Sequence, residues 1–95
     1  MKEINILEKT GTFAENKDVA REIRLNLIIP SLNSDENVIL DFSGVESATQ
    51  SFIHALISDI IRKYGSEVLD KVSFKNCNET VKKIIAIVVE YMQEM

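Results

Sequence analysis

The chain has few of the residue types that build metal sites and disulfides. It contains one cysteine, Cys77, one histidine, His54, and no tryptophan. A disulfide within the chain is therefore excluded, and a structural zinc site, which needs about four Cys, His or carboxylate ligands, is not expected. The glycine-rich motifs GxGxxG and GxxxxGK, which bind nucleotide phosphates, are also absent from the sequence. We expect no metal and no cofactor.

Long apolar runs are absent as well. The longest runs from residue 84 to 89, whereas a membrane-spanning helix needs about 20 apolar residues. Residues 1–7 lack the basic segment and apolar core of a signal peptide. We therefore expect a cytoplasmic protein that does not bind membranes.

The charge of the chain argues against nucleic-acid binding. There are 11 basic and 15 acidic side chains, a net charge of −4. Nucleic-acid-binding proteins usually present a basic face. The nearest equivalent here is a set of four lysines interrupted by Glu79, namely Lys71, Lys75, Lys82 and Lys83. We expect no nucleic-acid partner.

The first half predicts a strand, a helix and a second strand. Residues 2–8 alternate imperfectly between apolar and polar, as in a strand. Residues 12–16 contain a capping box and a second candidate N-cap, and Pro30 ends or kinks the helix that follows. Residues 38–42 are apolar except for Asp41, which predicts a strand covered on both faces.

The second half predicts a helix, a strand and a last helix. On a helical wheel, residues 50–64 have one apolar half, and Gly65 is a suitable C-terminal cap. A strand is predicted at residues 71–75, and Asn76 or Asn78 caps the last helix. Residues 1–95 therefore predict one α/β domain, with the order β-α-β-α-β-α and a mostly parallel sheet of three or four strands.

The segment NVILDFSGVESATQSF, residues 37–52, predicts a functional site. A buried strand leads through a turn directly into a helix, and helix N-termini offer free backbone N–H groups and a partial positive charge. The turn and the first helical turn contain four hydroxyl residues: Ser43, Ser47, Thr49 and Ser51. The outer half of the helix predicted after them presents Ser51, His54, Ser58 and Arg62.

This segment, followed by a helix that ends at a glycine, a strand and the residues NCNETVKKII, resembles the STAS-like domain family. The resemblance covers roughly residues 13–92 and is strongest at 37–60. These are small α/β domains similar to the anti-sigma factor antagonists of bacteria. The family as a whole has no established general activity, so the resemblance implies a fold more directly than a function.

In the anti-sigma factor antagonists, a serine at the start of this helix is phosphorylated by a kinase that is itself the anti-sigma factor, and the complex then dissociates. The matching position is Ser51, with Gln50 beside it. The antagonists have Asp, Ser, Ser, Gly in this turn, where residues 49–52 of this chain read Thr, Gln, Ser, Phe. The resemblance thus implies a phosphoacceptor at Ser51 and a kinase-like partner.

The other polar residues of the segment have simpler interpretations. Ser47 and Thr49 are candidate N-caps, and Asp41 is expected to accept backbone N–H bonds in an Asx-type turn. A metal role for Asp41 with Glu46 is disfavoured. His54 lies three residues after Ser51, but a catalytic pair needs an orienting acid and an oxyanion site. We therefore expect no enzymatic activity.

The sequence favours a regulatory module that binds another protein. The predicted surface combines the turn with the outer face of the helix, at Ser43, Gly44, Ser47, Thr49, Gln50, Ser51, His54, Ser58 and Arg62. Two alternatives remain open at this stage. The same turn suits a small ligand or nucleotide, and the last helix, whose apolar arc is wide at Ile87 and Val89, suits self-association as a homodimer.

Overall fold

The computed structural model of the chain describes residues 1–93. These residues form five strands, five α-helices, one π-helical turn and one short 3-10 helix. In chain order the elements are β1 (Lys2–Asn5), α1 (Ile6–Thr10), β2 (Phe13–Ala14), α2 (Lys17–Ile23), a π-helical turn (Arg24–Ile28), α3 (Ile29–Asn33), β3 (Val38–Asp41), β4 (Ser47–Ala48), α4 (Gln50–Tyr64), a 3-10 helix (Ser66–Asp70), β5 (Val72–Lys75) and α5 (Glu79–Gln93).

The main sheet has three parallel strands in the order β1-β3-β5. In its register, Ile4 lies beside Leu40, and Leu40 lies beside Phe74. The predicted α/β class and the parallel sheet are therefore confirmed. A second sheet pairs β2 with β4, also in parallel. Strands of two residues are too short to produce an alternating sequence pattern, so this second sheet was not predicted.

The helices cover one face of the main sheet, and the prediction that β3 is covered on both faces is wrong. Val38 and Leu40 are buried, whereas Ile39 is half-buried between the exposed residues Glu3 and Ser73. Both crossovers step in the same direction across the sheet. Right-handed crossovers therefore place α2 and α4 on the same face, and the other face stays open.

The first strand ends earlier than predicted. Asn5 closes β1, and its side chain accepts a hydrogen bond from the backbone N of Glu8 at 3.1 Å, which begins α1. The Thr10 hydroxyl donates to the carbonyl of Ile6 at 3.0 Å, and Gly11 ends the helix with a φ of +76°. Residues 6–8 therefore belong to a helix and not to the strand predicted for 2–8.

The first long helix starts at Asn16 and continues beyond Pro30. The Asn16 side chain accepts from the backbone N of Asp18 at 2.8 Å, so Asn16 is the N-cap and the capping box at 12–15 is not used. The backbone N of Ile29 donates to the carbonyl of Arg24, five residues earlier. This π-helical turn interrupts the regular pattern just before Pro30, and α3 then extends to Asn33.

Helix α4 lies between α2 and α5 and supplies much of the core. The apolar half predicted for residues 50–64 is confirmed, because six of its apolar residues are buried and a seventh, Tyr64, is half-buried. The six are Phe52, Ile53, Leu56, Ile57, Ile60 and Ile61. Gly65 ends the helix as predicted, with a φ of +81° and its N donating to the carbonyl of Ile61 at 2.8 Å. Within residues 1–93, every helix is too short or too polar to cross a bilayer.

The assigned core makes a prediction about two phenylalanines. Replacing the fully buried Phe52 with alanine should lower the free energy of unfolding by about 3–5 kcal/mol, because the substitution leaves a cavity in the core beside α4. The matched control is Phe13→Ala, since Phe13 is 48% exposed and its loss should cost about 0.5 kcal/mol. Urea denaturation measures both. Equal losses would contradict the placement of α4 in the core.

Candidate functional site

The candidate site lies where the N-termini of α2 and α4 meet. Strand β4 is followed directly by the N-cap Thr49, and β2 ends two residues before the N-cap Asn16, so their pairing holds the helix starts side by side. The backbone N of Thr49 also donates to the carbonyl of Ala14 at 2.9 Å. A shallow cleft of about 450 Å³ lies between the helix starts and is lined by Lys17, Gln50, Ser51, His54 and Ala55.

The turn after β3 is built on Asp41 as predicted. Its carboxylate accepts from the backbone N of Ser43 at 2.9 Å and from the side-chain amide of Asn76 at 3.1 Å. The Ser43 N–H, and then the Asn76 amide, hold the pKa of Asp41 below its usual value of 3.8. Gly44 follows with a φ of +84°, and a Cβ there would lie 2.7 Å from a methyl carbon of Leu7. The Leu7 side chain is able to move, whereas the positive φ strains any residue with a Cβ, so the turn favours glycine at this position.

One of the two predicted N-caps is confirmed. The Thr49 hydroxyl accepts from the backbone N of Phe52 at 3.0 Å, so Thr49 caps α4. Ser47 instead lies half-buried in β4, paired with Phe13, and the prediction that it caps the helix is wrong. Asn78 fixes the turn from the other side, because its amide donates to the carbonyl of Glu46 at 2.9 Å. Asn78 also caps α5 by accepting from the backbone N of Val81 at 2.8 Å.

Ser51 faces outward in the first turn of α4, as predicted. The residue is exposed, and its hydroxyl takes part in no hydrogen bond with any of residues 1–93. Ser43, Gly44 and Gln50 are exposed as well, and Gln50 lines the cleft beside Ser51. The helix start is thus stabilised by Thr49, while the neighbouring Ser51 hydroxyl has no structural role and is accessible.

The predicted outward face of α4 is wrong at one residue. Ser58 is 2% exposed, and its hydroxyl lies 3.4 Å from Nδ1 of His54. Helices α2 and α5 pack on two sides of α4, so the arc open to solvent is narrower than a helical wheel indicates. His54 is half-buried and lines the cleft, whereas Arg62 is exposed and lies 3.2 Å from Asp59, away from the cleft.

Two basic residues near the site were not predicted. Lys17 is the first residue of α2 and lines the cleft. Arg24 is buried, donates to the carbonyl of Ala55 at 2.7 Å, and lies 3.1 Å from a carboxylate oxygen of Asp59. Recognising Asn16 as an N-cap would have placed Lys17 at the N-terminus of α2. Helices that follow parallel strands begin at the same edge of the sheet, so Lys17 would have been expected near the start of α4.

The remaining polar candidates do not form a reactive group. Residues 1–93 contain no cluster of three or more His, Cys, Asp or Glu side chains that is able to hold a metal ion. Cys77 is half-buried on the segment before α5, and burial raises the pKa of its thiol. A thiol held in its protonated form is a weak nucleophile.

The chain belongs to a family of STAS-like domains. The family model described as "STAS-like domain of unknown function (DUF4325)" matches residues 19–82. This span begins in α2 and ends in the first turn of α5, so it includes β3, the turn and α4. The resemblance inferred from the segment at 37–52 is thereby confirmed. Searches of curated proteins and of solved structures found no match.

The hydrogen bonds of Asp41 predict how its pKa responds to a change at residue 76. Asn76→Gly removes the amide donor, and glycine tolerates the φ of +59° found there. We expect the pKa of Asp41 to rise towards 3.8 while staying below it, because the Ser43 N–H remains. An NMR titration of the carboxyl carbon measures this, with Asn26→Gly as the control.

The depressed pKa fixes the direction of the pH dependence. Stability from the ionised Asp41 is present above its unfolded pKa and is lost as the pH falls through the lower folded value. The loss begins at the same pH in Asn76→Gly, because the unfolded pKa is unchanged, but it should be smaller in total and complete at a higher pH than in the wild type. An unchanged Asp41 pKa in the variant would contradict the assigned role of Asn76.

The two neighbouring hydroxyls of α4 should differ in their effect on stability. Thr49→Ala removes the N-cap and should lower the free energy of unfolding by about 1 kcal/mol. Ser51→Ala should leave it nearly unchanged, because the Ser51 side chain is exposed and unbonded. Thermal unfolding under identical conditions compares the two. A larger loss for Ser51→Ala than for Thr49→Ala would assign Ser51 a structural role.

Proposed function

We propose that this domain is a non-enzymatic regulatory module that binds another protein through the surface around the start of α4. This turn surface comprises Ser43, Gly44, Gln50, Ser51 and His54. The observation that carries the proposal is the separation of roles at the helix start. Thr49 satisfies the backbone, and the adjacent Ser51 hydroxyl is free in a cleft beside Lys17.

Phosphorylation of Ser51 would switch this surface. A phosphate adds about −1.5 to −2 charges at neutral pH. It would enter a cleft bordered by two helix N-termini and by the Lys17 ammonium, where negative charge is favoured. The fold itself needs no change to accommodate the group. The main effect would therefore fall on a partner docked at the turn surface, with a kinase-like regulator as the class of partner that the resemblance implies.

A second candidate function rests on the cleft itself. Its volume of about 450 Å³ and its lining by Lys17, Ser51 and His54 suit a small anionic ligand such as a nucleotide. Such a ligand would stabilise the folded state by mass action, whereas a protein switch requires no small molecule. Self-association through α5 is the third alternative, and it concerns a different part of the molecule.

Affinity capture from the native host tests the switch. Wild type, Ser51→Ala and Ser51→Glu serve as baits, and bound proteins are identified by mass spectrometry. We expect a partner that is retained by wild type and by Ser51→Ala but lost with Ser51→Glu, because the added negative charge opposes docking. The matched control is Ser66→Glu, which adds the same charge at an exposed position beyond the other end of α4.

The outcomes separate the proposal from its alternatives. Loss of the partner with Ser51→Glu but not with Ser66→Glu supports a switch at the turn surface. Identical partner sets for all four baits would remove Ser51 from the mechanism. Thermal stabilisation of the wild type by ATP or GTP, lost in Lys17→Ala, would favour the ligand-binding alternative instead.

A further inference from the structure

A second groove lies away from the turn surface, between β5 and α5. Its volume is about 610 Å³. The walls are mostly apolar: Val72 and Phe74 come from the strand, and Ile85, Ala86 and Val89 come from the helix. Part of this apolar surface is accessible, because Phe74 and Val89 are half-buried and Ala86 is exposed. The groove therefore offers an unfilled apolar surface beside a strand.

The strand beside the groove has a free backbone edge. Within residues 1–93, β5 pairs with β3 and with no other strand. The carbonyls of Lys71 and Lys75 accept from the backbone N atoms of Val38 and Phe42, at 2.7 and 2.9 Å. In a parallel pair, alternate residues bond to the neighbour, so the N–H and C=O groups of Val72 and Phe74 point away from the sheet. These groups are available to an added strand.

The position of the groove defines the side-chain pattern of such a strand. Side chains alternate between the two faces of a sheet. Every second side chain of a strand added to β5 would point to the helical side and enter the groove. The side chains between them would lie on the open face, next to Lys75, which is exposed there. The geometry therefore suits an extended segment in which apolar residues alternate with polar ones.

The charge around the edge selects acidic residues for the polar positions. Residues 71–83 contain four lysines and one glutamate, in a chain whose net charge is −4. Lys75 lies on the open face, 3.5 Å from Glu3, and such an exposed ion pair contributes little to stability. A second copy is a poor occupant, because antiparallel pairing of two β5 strands about Ser73 places Lys71 opposite Lys75 of the other chain.

We propose that the edge of β5 and the adjoining groove bind an extended segment of a partner protein, with alternating apolar and acidic residues, by strand addition. Backbone hydrogen bonds to Val72 and Phe74 would supply sequence-independent affinity. The groove would select the apolar side chains, and Lys75 on the open face would select the acidic ones. This site is independent of Ser51 and does not rest on the turn surface.

A pair of designed peptides tests this site. The first is a blocked heptapeptide, Asp-Val-Asp-Val-Asp-Val-Asp, and the second has lysine in place of every aspartate. Binding to the full chain is followed by NMR, and we expect the acidic peptide to shift the amide signals of Val72 and Phe74. Lys75→Glu should weaken its binding by about two- to fivefold, as expected for loss of a cross-strand charge pair. Lys63→Glu, an exposed position on α4, is the matched charge control.

A groove variant tests the apolar contacts separately. Ala86→Gln places a larger polar side chain on the groove wall at an exposed position, so the fold should persist, which circular dichroism verifies. We expect it to weaken binding of the acidic peptide, while Thr80→Gln, exposed at the start of α5 outside the groove, should not.

Four results would overturn the proposal. They are no binding of either peptide, equal binding of both, unchanged binding by Ala86→Gln, and a dimer in sedimentation velocity that Ala86→Gln dissociates. The last would assign the groove to a second copy of the chain.

Discussion

The parallel strand order β1-β3-β5 is the constraint on which the other features depend. Because both crossovers step the same way, α2 and α4 lie on one face and begin at one edge of the sheet. The pairing of β2 with β4 then fixes the two helix starts next to each other. A cleft with two helix N-termini at its border follows from this topology before any side chain is considered.

The side chains that support the site differ from the side chain that is accessible in it. Arg24 joins the π-helical turn to α4 through the carbonyl of Ala55, so the relative position of the two helices is held by a buried group. Asp41 and Thr49 satisfy the backbone of the turn and of the helix start. Since these bonds are made by other residues, Ser51 contributes little to stability, and the proposed modification there does not require the domain to unfold.

The sequence predicts the parts of the fold that have a long or chemically distinctive pattern. Helix α4 shows both a clear apolar half and a terminal glycine, and its bounds were predicted closely. The strand β1 was predicted too long because Ile6 and Leu7 extend its apolar pattern, although the Asn5 side chain starts a helix there. Ser58 was misplaced because a helical wheel contains no information about which neighbours pack on a helix. Lys17 and Arg24 lie next to residues of α4 that are distant in sequence, and a local sequence pattern contains no information about such neighbours.

The two proposed surfaces are connected by a short segment. Asn76 and Cys77 line the groove beside β5, while the Asn76 amide bonds to Asp41 and the Asn78 amide to the carbonyl of Glu46 in the turn. A change at residue 76 or 78 therefore disturbs both surfaces at once, and it would not distinguish one function from the other. Ser51, Lys75 and Ala86 lie outside this segment, and among residues 1–93 none of their side chains makes a hydrogen bond to it. The carbonyl of Lys75 accepts from Sγ of Cys77 at 3.9 Å, and a substitution of the Lys75 side chain leaves that carbonyl in place. Substitutions at these three positions can therefore separate the switch at the turn from strand addition at the edge.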